Sequence, residues 1–193
     1  MKAGFDVQKL NHIAWRCRDA EQTRVFYEDV LGLPLAHVVR ADTVPSTGEH
    51  CPYVHLFFRL VDGSFVAFFD LGDGAASTPD PATPGWVNHL SLEVASMAEL
   101  AAAKQRLLDT KVEVLGIIDH YWLQSIYFHD PNGLRLELSF RSKGAEFLDE
   151  CERQAHGELA RWTADKRAGR VTPAAAMAGV AGLAGVAAVA AVA

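Results

Sequence analysis

The amino-acid sequence predicts an α+β fold in which two βαβββ modules form a cupped mixed sheet or barrel, followed by a C-terminal helix. The first observation is an internal repeat, because Leu10-Asn11-His12-Ile13 recurs as Val87-Asn88-His89-Leu90. The second is that each copy is followed by the same order of hydrophobic patterns, one helical and then three of strand period. A single module exposes one concave face, and two modules together close a cup.

The first module is predicted to span residues 9–71. Its first strand covers residues 12–17, and Asp19 is placed to cap the helix that follows. That helix ends at Gly32-Leu33-Pro34, and its apolar face has four members: Val25, Phe26, Val30 and Leu31. The remaining strands are predicted at residues 35–40, 53–61 and 65–71, with Asp62-Gly63 as the tight turn between the last two.

A linker rich in Gly, Pro, Ser and Thr, residues 72–86, leads to the second module at residues 87–141. The first strand of this module is predicted at residues 87–94, and Ser96 is placed to cap a helix whose apolar face contains Leu100, Leu107 and Leu108. The remaining strands are predicted at residues 112–118, 125–129 and 134–140, and an Asp-Pro-Asn-Gly turn precedes the last of them.

Residues 142–170 are predicted to form a C-terminal helix that rests on the barrel or on a partner subunit, which allows a homo-oligomer. Residues 171–193 consist almost wholly of Ala, Gly and Val. The uncharged stretch at residues 174–193 is long enough to cross a bilayer, but Ala and Gly insert poorly. We therefore expect a weakly ordered tail and no membrane anchor.

The overall composition predicts a cytoplasmic protein that acts on a small molecule. The net charge is −6, which gives no general attraction for nucleic-acid phosphates. The three cysteines are widely separated and form no Cys-x-x-Cys pair, as is typical of a reducing compartment: Cys17, Cys51 and Cys151. The N-terminal segment lacks the uninterrupted apolar stretch of a secretory signal.

The repeat also predicts a metal site formed by His12, His89 and Glu137. The two histidines open equivalent strands, so their side chains face the same cup. Leu136 and Leu138 point away from Glu137 by strand alternation, and a carboxylate facing a cavity needs a partner or a metal. Two imidazoles and one carboxylate suit a first-row divalent ion, with Fe(II) preferred and Mn, Ni or Zn as alternatives.

The two modules are expected to contribute unequally to this site. Aligning residues 135–139 with residues 66–70 makes Phe68 the counterpart of Glu137 in the first module, and Phe68 cannot bind a metal. Asp70, two positions further on, is the weaker alternative. Four other histidines are expected at the surface: His37, His50, His129 and His156.

Residues 9–141 resemble the vicinal oxygen chelate superfamily, which includes glyoxalase I, extradiol ring-cleaving dioxygenases, fosfomycin resistance proteins and methylmalonyl-CoA epimerase. The matching features are Asn11-His12-Ile13, the helix end at residues 26–33, Asn88-His89, and the run from Tyr127 through Asp130-Pro131-Asn132-Gly133 to Glu137. The resemblance implies paired βαβββ modules and metal binding at strand ends.

Within this superfamily the second module is most similar in motif to the extradiol dioxygenases, through His120, Ile126-Tyr127, the Asp-Pro-Asn-Gly turn and Glu137. That resemblance implies that Glu137 binds iron and that His120 and Tyr127 lie near the bound substrate. The sequence departs from the extradiol pattern because residues 71–88 contain no histidine, where those enzymes carry a catalytic one. His55 is the candidate acid–base in its place. The expected wall of the substrate cavity is aromatic: Trp15, Phe57, Phe68 and Trp122.

The resulting hypothesis is a metal-dependent enzyme that acts on a small substrate with two adjacent oxygens, in particular an Fe(II) dioxygenase that cleaves a catecholic ring. The metal acts as a Lewis acid on the chelated oxygens. Two alternatives stay open: a lyase or isomerase of glyoxalase type, and a metal-free binding protein like the bleomycin resistance proteins.

Overall fold

A computed structural model of the chain describes residues 4–77, 80 and 82–171. The described residues form two compact units. The first lies within Met1–Asp119 and Gln124–Phe140, and the second within His120–Leu123 and Arg141–Ala193. The predicted Ala-rich tail from residue 172 onward lies outside the described residues.

The first module forms a four-stranded sheet with one helix. Its elements are β1 (His12–Arg16), α1 (Ala20–Arg24), a π-helical continuation (Val25–Val30), β2 (Leu35–Thr43), β3 (His50–Arg59) and β4 (Phe65–Asp70). The strand order is β1-β4-β3-β2, with β1 parallel to β4 and the other neighbours antiparallel. The tight turn predicted at Asp62-Gly63 is present, since Gly63 has a φ of +80° that favours glycine.

The second module repeats this arrangement. It consists of β5 (Leu90–Glu93), α2 (Met97–Asp109), β6 (Leu115–Asp119), β7 (Leu123–His129) and β8 (Arg135–Arg141), in the order β5-β8-β7-β6. Here β5 is parallel to β8, as β1 is to β4. The two predicted βαβββ modules are therefore confirmed, and their described strands form two separate sheets that are not closed into one barrel.

The predicted apolar faces of the two helices are partly wrong. Asp19 and Ser96 cap α1 and α2 as expected. In the first helix, however, Tyr27 is fully buried whereas Val25 is 41% exposed. The reason is the π-helical turn, which shifts the buried side from the one that a 3.6-residue period predicts. In α2, Leu100 and Leu107 are buried as predicted, but Leu108 is exposed.

The helix of the first module covers one face of its sheet. The Tyr27 ring lies 5.2 Å from Phe58 and 4.8 Å from Phe68, measured between ring centroids. These residues belong to the hydrophobic core, together with Val66 and Leu56. By strand alternation the opposite face carries His12, so the histidine side of the sheet is the one that the helix leaves open.

A buried polar cluster connects the two modules. Tyr27 donates a hydrogen bond from its hydroxyl to Asp130 Oδ2 at 3.1 Å. Asn132 Nδ2 donates to Thr23 Oγ1 at 3.2 Å, and Asn132 Oδ1 accepts from the Arg18 backbone N–H at 2.9 Å. The Asp-Pro-Asn-Gly turn thus attaches the helix of the first module to the base of β8.

The second unit contains α3 (Ala145–Arg167), none of whose residues is buried. Near the start of this helix, the ring of Phe147 lies 5.6 Å from the ring of Tyr121 and 6.5 Å from that of Trp122. Ser142 donates a backbone hydrogen bond to the Trp122 carbonyl at 2.8 Å. Within residues 4–77, 80 and 82–171, no helix has the length and apolarity needed to cross a membrane.

Candidate functional site

His12 lies in a cluster of aromatic rings on the open face of the first sheet. Its ring centroid is 6.1 Å from that of His55 and 5.7 Å from that of Phe57. Its Nδ1 is 2.8 Å from Oδ1 of Asn11, the residue that precedes it in the repeated Asn-His pair. His12 itself is exposed.

His55 shares this face with His12, as its predicted role requires. Its ring stacks on Phe69 at 3.6 Å and lies 4.0 Å from Phe57. Burial lowers the pKa of His55 to about 4, and the charges of His12 and His37 act in the same direction. His55 is therefore an uncharged imidazole at neutral pH and is able to accept a proton.

Glu137 is the centre of the second half of the site. It lies on β8, is only 4% exposed, and points away from the core residues Leu136 and Leu138. Its Oε2 is 3.1 Å from His89 Nε2, and its Oε1 accepts a hydrogen bond from the Tyr127 hydroxyl at 3.0 Å. The structure therefore brings together three of the predicted site residues.

The surroundings keep Glu137 ionised in spite of its burial. Burial raises the pKa of this carboxyl, but the hydroxyl groups of Ser125, Ser91 and Tyr127 and the neighbouring His89 lower it by more. The net pKa is below the usual value. The pKa of Tyr127 rises to about 12, first through burial and then through the charge of Glu137, so that its hydroxyl stays a donor.

The hydrogen-bond partner of His89 Nδ1 indicates the tautomer of the neutral ring, and hence whether Nε2, which faces Glu137, carries a lone pair or a proton. Its Nδ1 is 3.0 Å from the Val87 carbonyl oxygen, which only accepts hydrogen bonds, so Nδ1 carries a proton. A neutral His89 then directs the Nε2 lone pair at an ionised carboxylate oxygen. That arrangement is repulsive unless a cation, either a proton or a metal ion, lies between the two atoms.

The strand registers correct the predicted comparison of the two modules. His12 pairs with Phe65 across β1 and β4, whereas Leu90 pairs with Leu136 and Ser91 with Glu137 across β5 and β8. Counting from the equivalent histidines His12 and His89, the position in the first module that corresponds to Glu137 is Ala67 and not Phe68. Phe68 points to the opposite face, where its ring packs 4.8 Å from Tyr27.

The other predicted residues have less support. Asp70 accepts backbone hydrogen bonds from Ala20 and Gly72, which is a structural role at a strand end. His120 follows β6 directly and belongs to the second unit. Among the described residues, no three His, Cys, Asp or Glu side chains are grouped so that they could hold a metal. His89 and Glu137 therefore fit a two-donor half-site, and His12 does not join them within one chain.

Sequence reasoning missed the polar residues around Glu137. Ser91 is its register partner on β5, and Ser125 and Arg135 lie on β7 and β8. The Arg135 guanidinium carbon is 4.5 Å from the centroid of the Tyr127 ring. Alternation would have identified them, because in these apolar strands the polar residues recur at every second position on the Glu137 face.

Residues 9–138 match the family model described as the Glyoxalase/Bleomycin resistance protein/Dioxygenase superfamily. The chain belongs to this superfamily. The predicted resemblance is therefore confirmed, and with it the class of fold. No protein of curated function matches the chain significantly.

Three solved structures are similar to this chain in fold. A glyoxylase/bleomycin resistance protein/dioxygenase domain from Frankia sp. EAN1pec has a TM-score of 0.59 at 20% identity, covering 72% of this chain and 96% of that one. A mutant of the fosfomycin resistance protein FosX from Listeria monocytogenes, in complex with Mn(II) and dihydroxypropylphosphonic acid, has a TM-score of 0.51 at 18% identity, covering 73% and 97%. TnmS3, an antibiotic binding protein from Streptomyces sp. CB03234, has a TM-score of 0.50 at 20% identity, covering 72% and 99%.

Proposed function

We propose that this chain is a metal-dependent enzyme that acts on a small substrate with two adjacent oxygens. We propose that His89 and Glu137 hold the metal, and that His12 becomes the third ligand when the two modules pair, either within one chain or between two copies of it. The observation that carries the proposal is the 3.1 Å separation of His89 Nε2 and Glu137 Oε2. Two ligands at about 2.1 Å from one ion and at right angles are roughly 3 Å apart. The tautomer of His89 presents a lone pair at that position, as a ligand does.

The residues around the half-site support the same role. Tyr127 fixes the free oxygen of Glu137 by hydrogen bonding, and the Val87 carbonyl fixes the ring of His89. Outer groups of this kind orient metal ligands in known sites. In FosX, a relative with this fold, the bound ion is Mn(II).

We further propose that the ion is Fe(II) and the substrate a catechol that undergoes ring cleavage. When bound, the metal supplies a Lewis acid for two adjacent oxygens and a site for dioxygen. Tyr127 keeps its proton and donates it in a hydrogen bond, while the uncharged His55 on the His12 face accepts a proton from a substrate hydroxyl. Ala67 at the position equivalent to Glu137 argues against glyoxalase-type chemistry, which uses a carboxylate from both modules.

A second candidate is a metal-free binding protein, as TnmS3 binds an antibiotic. The observation that favours it is that no three suitable donors are grouped together within the described part of one chain. In that case His89 carries the proton that its contact with Glu137 requires, and the open face of the sheets binds an organic molecule directly.

Anaerobic purification followed by metal analysis tests the proposal. We expect about one ion per chain after reconstitution with Fe(II), and oxygen uptake when a catechol is added. Glu137→Gln should abolish metal binding, whereas the matched variant Asp70→Asn should retain it. Retention of the metal by Glu137→Gln contradicts the ligand set. Binding of Mn(II), Ni(II) or Zn(II) without oxygen uptake contradicts the proposed ring cleavage but not the metal site. If the chain binds no metal at all, the result favours the metal-free binding protein.

A further inference from the structure

A cavity of about 400 Å³ lies in the first unit, and its lining includes Asn88 and Arg135, which are close in sequence to the proposed ligands His89 and Glu137. Trp15 and Phe68 form an aromatic wall, with their ring centroids 6.2 Å apart. Arg16 and Arg135 also line the cavity, and Asn88 adds an amide. The lining that the structure describes does not include His89, Glu137 or Tyr127.

The two arginines have unused hydrogen-bonding capacity. The Nε atoms of Arg16 and Arg135 are both buried, and neither has a hydrogen-bond partner among the described residues. Leaving a buried N–H without a partner is costly, so such a pair of donors is usually satisfied by a ligand or by water. Both donors belong to guanidinium groups, which bind carboxylates through two parallel hydrogen bonds.

The charges in the cavity indicate where an anion would bind. Arg16 forms an ion pair with Asp73, so much of its charge is already neutralised. The guanidinium group of Arg135 lies over the ring of Tyr127, and in the described part of the chain it has no ion pair with a carboxylate. Asp80 also lines the cavity, and hydrogen bonds from Thr83 and Ala82 lower its pKa, so it repels an anion from its own side. The favourable position is therefore next to Arg135.

We propose that this cavity is a second binding site, which takes a flat aromatic carboxylate. The carboxylate pairs with Arg135, assisted by Arg16, and the ring packs against Trp15 and Phe68. The cavity volume is within the range of about 300–1,000 Å³ that is usual for small-molecule sites. A site of this kind would bind an aromatic acid whether or not a metal is present.

Titration of the full-length chain with 1-naphthoate, in the presence of EDTA, tests the proposal. The matched neutral probe is 1-naphthamide, and binding is measured by calorimetry and by tryptophan fluorescence. We expect naphthoate to bind at least about tenfold more tightly than naphthamide, because charge-assisted hydrogen bonds are worth about 1.5–3 kcal/mol. We expect the Trp15→Phe variant to lose most of the fluorescence change.

Two variants complete the test. Arg135→Met keeps the length and apolar stem of the side chain and should abolish the preference for naphthoate, whereas Arg59→Met removes an exposed arginine and should not change it. Thermal unfolding checks that both variants fold. Equal affinity for the two probes, no naphthoate binding, or an unchanged preference in Arg135→Met would each overturn the proposal. EDTA makes these outcomes independent of the proposed metal site.

Discussion

Tyr27 of the first module donates a hydrogen bond to Asp130 of the second, across 103 positions of sequence. The Asp130 carboxylate also accepts backbone hydrogen bonds from Asn132 at 2.9 Å and from Leu134 at 2.8 Å. The same carboxylate therefore shapes the turn before β8 and fixes the helix of the other module. Since β8 carries Glu137, the bond between the modules is also a support for the candidate site.

Replacing Tyr27 by Phe should destabilise the fold by roughly 1–3 kcal/mol, because a buried acceptor loses a partner while the packing of the ring is kept. Urea unfolding measures this change. Tyr53→Phe is the control, and it should change the free energy of unfolding by less than about 0.5 kcal/mol. Equal effects of the two substitutions would show that the Tyr27 hydroxyl adds nothing to stability.

The buried thiol of Cys17 should make the protein less stable at alkaline pH. Burial raises its pKa from the ordinary 9.0 to about 11. The unfolded chain loses this proton at lower pH than the folded chain, so the contribution to stability is complete below pH 9 and is lost as the pH rises through 11. As the pH rises from 9 to 11, the unfolding free energy of the parent chain should fall by roughly 2–3 kcal/mol more than that of Cys17→Ala.

The control for this measurement is Cys151→Ala, since Cys151 is exposed on α3. Its unfolding free energy should follow the same pH dependence as that of the parent chain. If Cys17→Ala also follows the parent chain, the thiol is not the titrating group.

The fold was predictable because the repeated Asn-His pair marked the start of each module and the caps at Asp19 and Ser96 marked each helix. The predicted helix face was wrong at Val25, since a regular period does not reveal a π-helical turn.

The predicted correspondence of Phe68 with Glu137 was wrong by one position for another reason. Residues 60–64 and 130–134 are turns of equal length, and counting through them aligns Phe65 with Arg135 and hence Ala67 with Glu137.

Gly116 should not tolerate a side chain. Its φ is +116°, and a Cβ atom built there would lie 2.6 Å from the Ser125 carbonyl oxygen. Gly116→Ala should therefore destabilise the fold by about 2 kcal/mol or more, through strain and backbone overlap. Gly157→Ala, at an open position within α3, should be neutral or stabilising by up to about 1 kcal/mol. Thermal unfolding of both variants compares them, and a similar Tm would contradict the expected difference.

The Tyr127 hydroxyl should strengthen metal binding if Glu137 is a ligand. Removing it in Tyr127→Phe should weaken affinity by about tenfold, as is usual for groups that orient a ligand. The measurement is competition with a chelator of known affinity under anaerobic conditions. Tyr53→Phe serves again as the control, and an unchanged affinity in Tyr127→Phe would mean that Glu137 is positioned without it.

Mixing two inactive variants should show whether the site is completed by a second chain. His12→Ala lacks one proposed ligand and Glu137→Ala another, so each alone should bind no metal. If modules pair between chains in a dimer, unfolding and refolding an equal mixture should restore about one site in four. If both ligands must come from the same chain, the mixture should bind nothing. Metal content per chain distinguishes the two cases.

The candidate site was only partly predictable, since its two halves differ in how local they are. Tyr127 and Glu137 lie on neighbouring strands, and His89 directly precedes the strand on the other side of β8, so alternation and motif were sufficient to group them. His12 lies on the other sheet, and its distance from them depends on how the modules pair, which a linear pattern does not contain. The sequence left open which face of its strand carries His55, and the register with Phe69 puts it on the same face as His12.

Ala67 limits how far the two modules are interchangeable. Its position, equivalent to that of Glu137, is fully buried, and Phe57 is its register partner on β3. A glutamate side chain at this position would displace these neighbours. The two modules therefore share an architecture but differ in chemistry, and only the second can offer a carboxylate from this position.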